Sequence, residues 1–396
     1  MRTDQHQGSA GVQHIGSRLA AAMSNVVAKA GAGNPRPTAL AAKLGLSRVT
    51  LSKLLGALQK KSPDEVLEAI PGPESLRGVV TSAATHGMDR AIAVEALAAI
   101  DQFDALIREQ FGTRAALHAA IGGRSNTLRA RVSQTARADV FKGMRHILGV
   151  EAETWLTCMF FEPVNDDPDS VAITNVHGAI AMRRLRSDTS VCFSFGPPPQ
   201  DPHSPGNVDQ SPVSLQQFYA NEPATLESTR VGGQIIHTLA DNALGKDQLR
   251  DMLVVSRQSK GPKRFAADGS RLRGVSLFVD VPARNLVCDA IVHNDIFPSA
   301  APQLIVYNPG ARGPANPNDP ARDSDRVVVT ETVEDLSAAE DRFTIDEIPR
   351  YADIINHTSR QLGRSLDQFR VYRLRMAYPV VGLQYVVAFA APDKSA

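Results

Sequence analysis

Two cations, two hydroxyls and one small apolar side chain fall within six consecutive residues, at Arg48, Val49, Thr50, Ser52 and Lys53. That set suits the major groove of duplex DNA. A guanidinium can read guanine, an apolar group can meet the thymine methyl, and hydroxyl and ammonium groups can reach phosphates. Such a face works only if a helix presents it, and the flanking spacing predicts one. Leu51, Leu54 and Leu55 recur at i, i+3 and i+4 and turn inward, which leaves the five candidates outside. Ser47 stands where it would N-cap this helix, accepting from the amide of Val49 or Thr50. Before it, Gly45 enters the left-handed turn without steric cost. Leu40, Ala41 and Leu44 share one face of a shorter helix upstream, with Ala41 small where the two helices cross. Residues 37 to 56 therefore read as helix, turn, helix.

The run Pro-Thr-Ala-Leu-Ala-Ala-Lys-Leu-Gly-Leu-Ser-Arg-Val-Thr-Leu-Ser-Lys-Leu-Leu-Gly resembles the helix-turn-helix of bacterial transcription regulators, most closely that of the lac-repressor family. There, an alanine lies four residues before the turn glycine. A hydrophobic residue, a serine, two variable positions and Thr-Val-Ser-Arg follow the glycine. The matching positions here are Ala41, Gly45, Leu46, Ser47, Arg48, Val49 and Thr50-Leu51-Ser52-Lys53. The resemblance implies that Arg48, Val49, Ser52 and Lys53 face the groove, that Ser47 and Thr50 contact phosphates, and that the partner is double-stranded DNA. It covers about twenty residues of 396, and the C-terminal two thirds carry no sign of the sugar-binding domain typical of that family.

Elsewhere the chemistry is sparse. Gly-x-x-x-x-Gly-Lys, paired Cys-x-x-Cys, His-Glu-x-x-His and Gly-x-Ser-x-Gly are all missing, and Gly245-Lys246 has Ala240 where a phosphate loop needs glycine. Cys288-Asp289 and His293-Asn294-Asp295 sit on one apolar run, and strand alternation would put Asp289, His293 and Asp295 on one face. These are ligand types for a metal or an acid–base pair. One histidine beside two aspartates at a strand end fits a hydrogen-bonded turn better, so no catalytic residue, metal ligand or cofactor is assigned. Arg370, Arg373 and Arg375 surround Tyr372, preceded by Arg364; on a strand Arg373 and Arg375 share a face and form a candidate site for an anionic effector. The basic run Lys260-Gly261-Pro262-Lys263-Arg264 fits a solvated turn.

The elements that would position these residues divide the chain in two. Residues 11 to 30 place Ile15, Leu19, Met23, Val26 and Val27 on one side of a support helix. After the motif no pair of alternating strands follows, so a non-winged form is expected. Ser62-Pro63-Asp64-Glu65 opens a helix ending near Ile70, Pro71-Gly72-Pro73 breaks it, and Pro73 starts another. Ile92, Leu97, Ile100, Phe103, Leu106 and Ile107 form a core-facing stripe. Gly112 and Gly122-Gly123 then punctuate the chain before a long helix from Ser125 to Leu148, flanked and lined by Arg124, Arg129, Arg131, Arg137, Lys142 and Arg145.

Near residue 150 the period changes from helical to alternating. Strands are expected at 155–161, 170–181, 191–195, 275–281, 286–292, 304–307, 326–330, 369–378 and 383–389, with a helix at 348–362 and long loops at 196–212 and 308–325. The expected fold is multi-domain: an all-α N-terminal half with a non-winged helix-turn-helix, and an α+β C-terminal half with largely antiparallel sheet. The expected domains are a DNA-binding domain at 1–80, a helical connector or dimerisation region at 81–149 and an effector-binding or assembly domain at 150–396.

Charge follows the same division. Residues 1–150 hold 19 Lys+Arg against 11 Asp+Glu; the chain totals of 43 and 42 leave 24 against 31 for the remainder. A basic half attracts phosphate, which the near-zero total conceals. The hydrophobic fraction of 43% and charged fraction of 21% fit a soluble globular protein with no membrane span and no secretory signal. Cys158, Cys192 and Cys288, embedded in apolar runs, are expected as reduced core residues in a cytoplasmic protein. Together these features point to a cytoplasmic, homodimeric, sequence-specific transcription regulator without enzymatic activity, with a small-molecule effector as a further expected partner. Two alternatives stay open: a scaffold using the helix pair for protein contacts, and an enzyme of unrecognised class in the C-terminal half.

Overall fold

The computed structural model describes the chain except residues 1–2, 32–35, 123–125, 196–212, 232–233, 241–243, 246, 268, 299–300 and 395–396. Two compact units emerge, Met1–Val132 and Ser133–Ala396. The boundary falls inside a helix. The long loop expected at 196–212, and Arg124 of the basic series, lie outside the described residues.

The first unit is helical: α1 (Thr3–Gly31), α2 (Pro37–Leu44), α3 (Arg48–Leu58), α4 (Pro63–Ala69), α5 (Pro73–Thr85), α6 (Arg90–Ala105), a π-helical turn Leu106–Phe111, α7 (Arg114–Gly122) and the start of α8 (Asn126–Leu148). No strand occurs among its described residues. Leu19, Met23 and Val26 of α1 form the spine of its core, packed with Leu40 and Leu44, Leu51 and Leu54, Leu67, Leu76 and Phe103. Core residues from Ala83 to Ile121 thus share one cluster with the helix pair. Polar ties fix the arrangement. Lys43 Nζ donates to Ala30 O at 2.7 Å, and Ser82 Oγ to Leu44 O at 2.5 Å, which satisfies a terminal carbonyl of α2. At α4, Ser62 accepts from Glu65 N at 3.3 Å and Pro63 takes the first position, where no amide is needed.

The second unit is built on a mixed sheet. Its strands are β1 (Val150–Val164), β2 (Asp167–Arg184), β3 (Cys192–Phe195), β4 (Val213–Ser214), β5 (Glu222–Pro223), β6 (Leu226–Val231), β7 (Gln234–Leu239), β8 (Arg250–Gln258), β9 (Leu272–Phe278), β10 (Ala283–His293), β11 (Gln303–Tyr307), β12 (Val333–Asp335), β13 (Phe369–Ala377) and β14 (Gln384–Ala390); the helix α9 (Tyr351–Gln361) precedes β13. The main sheet runs β12-β13-β10-β1-β2-β8-β4, with β5 also on β8; smaller sheets run β11-β14-β9 and β3-β7-β6. Pairings between these strands are antiparallel except β1 with β10 and β5 with β8.

The two central strands are buried on both faces, so they read as near-continuous apolar runs. One face carries Leu156, Phe160, Val287 and Ile291 under Ile354 and Ile355 of α9. The other carries Trp155, Met159 and Leu286 against Phe193, Tyr385, Val387 and Phe389 of the smaller sheets. Gly178 marks a place where no side chain fits: at φ +152°, a Cβ would lie 1.8 Å from Met252 O. Just beyond it β2 bulges between Ala179 and Met182, and buried Asp251 holds the bulge. Its carboxylate accepts from Ala181 N at 2.8 Å and, at 2.8 and 2.9 Å, from the amides of Ala220 and Asn221.

Three expectations for this half need correction. Residues 326–330 form no strand: Val327 N bonds Val306 O and Arg326 bridges Tyr307, after which the chain runs extended with Val328 outward. Strands β6, β7 and β8 arise where none was expected. Cys192 is exposed, whereas Cys158 and Cys288 are buried; all three are free thiols. No helix among the described residues is long and apolar enough to cross a membrane.

Burial in this sheet pushes the His177 imidazole down to about 3, with the nearby His237 as a lesser cause. The unfolded chain would take up a proton near pH 6.5 that the folded state refuses. Stability from this group is therefore complete above about pH 6.5 and falls by about 1.4 kcal/mol per pH unit below it. Urea midpoints are expected to hold from pH 8 to pH 7 and to drop towards pH 4.5, with a shallower drop in His177→Gln. Identical pH slopes in the two proteins would place the acid sensitivity elsewhere.

Candidate nucleic-acid interface

The helix pair is positioned by two local devices. Gly45 ends α2 at φ +61°, ψ +31°, its amide returning to Ala41 O, in a conformation that costs a side-chain-bearing residue energy. Ser47 then caps α3, its hydroxyl accepting from Val49 N at 3.2 Å. Leu51, Leu54 and Ala57 are buried, and each fully buried leucine contributes roughly 1.5–3 kcal/mol. With that side fixed, helical geometry leaves the other side outward. Arg48, Val49, Ser52, Lys53 and Gly56 are exposed, and Thr50 lies half-buried at the edge. Val49 keeps 64% of its surface exposed, on the same outward side as Arg48 and Lys53. Gly56 has open space where a Cβ would sit, so this face admits close approach. All six residues expected to touch DNA therefore occupy one outward strip or its cap.

The C-terminal candidates are placed differently. Asp289 and Arg373 face each other across β10 and β13. Asp289 is 0% exposed and Arg373 3%. Arg373 donates through Nε to Asp289 Oδ1 at 2.8 Å and through Nη2 to Oδ2 at 2.7 Å. Its remaining donors reach Thr344 O at 3.1 Å and Arg342 O at 2.8 Å. Tyr351 OH of α9 adds a 2.6 Å bond to Asp289 Oδ2. Burial and the Asp289 charge push the Tyr351 hydroxyl well up, and burial does the same to the adjacent Cys158 thiol. Burial alone would lower Arg373, but its bonds to Asp289 hold it above the ordinary arginine value.

Arg375 lies nearer the surface and holds both oxygens of Glu347 at 3.1 Å. The anion site expected at Arg373 and Arg375 is therefore taken up by carboxylates of the same unit. His293 lies four residues along β10 from Asp289, about 13 Å at strand rise. It accepts from Asp295 N at 3.2 Å in a turn closed by Ile296 N to His293 O, and its ring meets Phe369 edge-on. Asp289 and His293 thus belong to separate hydrogen-bonded groups. Among the described residues no cluster of three or more His, Cys, Asp and Glu side chains could hold a metal.

Compared with protein families, curated proteins and solved structures, the chain matches none.

Removing one member of a buried ion pair leaves an uncompensated charge, so Asp289→Asn is expected to destabilise the sheet unit by about 3–5 kcal/mol. Tyr351→Phe removes one hydrogen bond to a charged acceptor and is expected to cost about 1.5–3 kcal/mol. Urea denaturation read through sheet circular dichroism checks the order of the two. A negligible loss in Asp289→Asn would mean that the carbonyls of Thr344 and Arg342 suffice for the guanidinium.

Proposed function

We propose that the protein is a sequence-specific DNA-binding transcription regulator, with α2 and α3 acting as a non-winged helix-turn-helix and α3 entering the major groove. The observation that carries this reading is the outward strip of α3. It combines Arg48, Lys53, Ser52 and a largely exposed Val49 on a helix whose opposite side is anchored by Leu51 and Leu54. Among the described residues, Arg48, Ser52 and Lys53 take no part in the core of the first unit. A guanidinium for guanine, a branched apolar group for the thymine methyl and short polar groups for phosphate are what groove reading demands.

A homodimer is part of the proposal. One short helix reads few base pairs, so useful specificity takes two half-sites about 34 Å apart. The unit Ser133–Ala396 would supply sensing or assembly. Effector recognition is assigned neither to Arg373 nor to Arg375, since both already hold carboxylates.

Fluorescence anisotropy on pooled duplexes, across a salt series, tests the reading. Arg48→Ala is expected to weaken selected duplexes by about 1–3 kcal/mol and to relax preference at one base position. Arg48→Ala combined with Lys53→Ala is expected to abolish sequence preference with the fold intact. Negligible duplex binding by the unaltered protein at low salt would sink the proposal and favour a scaffold.

A further inference from the structure

An open groove of about 620 Å³ runs beside the reading strip of α3. One side is formed by α3 and its exit, through Thr50, Lys53 and Lys60; the other by Gly72, Arg114 of α7 and Arg131 of α8. Four cations line it, Lys53, Lys60, Arg114 and Arg131, against the single carboxylate of Glu68. Burial and the neighbouring Arg114 push the His118 imidazole below its ordinary value, which disfavours a fifth charge here.

The cations are held in place to different degrees. Arg114 donates to Ile70 O and, through Nε, to His118 at 3.2 Å, which fixes its guanidinium at the groove wall. Gly72 beside it leaves it room: a Cβ there would come within 3.3 Å of Arg114 Nη1. Arg131 stands half-exposed, 3.3 Å from Glu68, and Lys60 is exposed.

We infer that this groove seats the sugar-phosphate strand bordering the major groove that α3 enters, an inference that rests on the DNA-binding reading above. The reading strip and the groove share Val49 and Lys53. A duplex read by α3 therefore carries its flanking strand alongside that helix, where positive side chains stand on both sides. Each strand presents one negative charge per about 3.4 Å of duplex axis, so the charges complement along a line rather than at a point. The contacts are blind to base identity: they set register and orientation while the α3 strip reads sequence. The footprint accordingly reaches beyond the helix pair to α7 and the start of α8.

The test uses the full chain and a Lys60→Gln, Arg131→Gln double variant, with Lys60→Gln alone as a second variant that leaves the Glu68 pair intact. Thermal unfolding checks that both fold. Each is titrated by anisotropy against a random-sequence duplex from about 50 to 200 mM salt. Each lost phosphate contact should reduce the slope of log K against log salt by about one, so the double variant should lose about two and Lys60→Gln about one. Unaltered slopes and affinities in folded variants, with the unaltered protein still binding duplex, would overturn the strand seat and leave the DNA reading standing. Absence of duplex binding by the unaltered protein would overturn both. A parallel arm adds inorganic pyrophosphate at constant ionic strength. Saturable stabilisation lost in the double variant, together with coincident salt slopes, would make the groove a small-anion site and likewise overturn the strand seat.

Discussion

The sheet unit depends on one buried ion pair. Asp289 and Arg373 lie opposite each other on antiparallel strands, and Tyr351 brings α9 onto the same carboxylate. Such a pair adds little net stability over apolar residues of equal volume, because both charges must leave water. What it does is penalise alternatives. A one-residue slip of β13 against β10 would turn the guanidinium to the opposite face, among Trp155, Met159 and Phe389, and away from Asp289. A shift of α9 would leave Asp289 short of a donor. The pairing of three elements is thus tied to one side-chain group.

The helical unit is organised on a different basis. Its core is mostly apolar, with serine bonds at helix ends, Ser47 on α3, Ser62 on α4 and Ser82 on the last carbonyl of α2, and an ion-pair bridge from Arg77 of α5 to Asp101 and Asp104 of α6. This arrangement spends no surface of α3 on internal contacts other than the leucine side. The free strip is a by-product of how little the core needs from an eleven-residue helix.

How much was legible in the sequence depends on distance along the chain. Gly45, Ser47 and the leucines of α3 act on neighbours within a few residues, so their types and spacing announced the helix pair, its cap and its outward face. The fate of Arg373 was invisible for the opposite reason. Its partner lies 84 positions away, and a row of arginines on a strand looks the same whether it meets solvent or a buried carboxylate. Strand β6, Leu-Glu-Ser-Thr-Arg-Val, was hidden by its own polarity, since only alternate residues of a small sheet need an apolar side. Residues 326–330 misled in the other direction. Their run of three valines has the composition of a strand, and Val327 and Val329 do pack inward, but the edge of β11 offers them a single bridge. The groove beside α3 joins residues from 49 to 131, so no short motif marks it.

The parallel seam between β1 and β10 has a kinetic consequence. Cys158 lies opposite Asp289, 131 positions later in the chain, and Arg373 arrives later still. During synthesis the helical unit can close once α6 has joined α1, before any strand is made, while β1 and β2 emerge as a long apolar hairpin with one edge bare until β10 leaves the ribosome. Non-local pairing of that kind is slow and leaves strand edges open to other chains. The nascent protein therefore passes through an interval in which its first unit is finished and its second is sticky, and rapid translation of residues 185–293 shortens it.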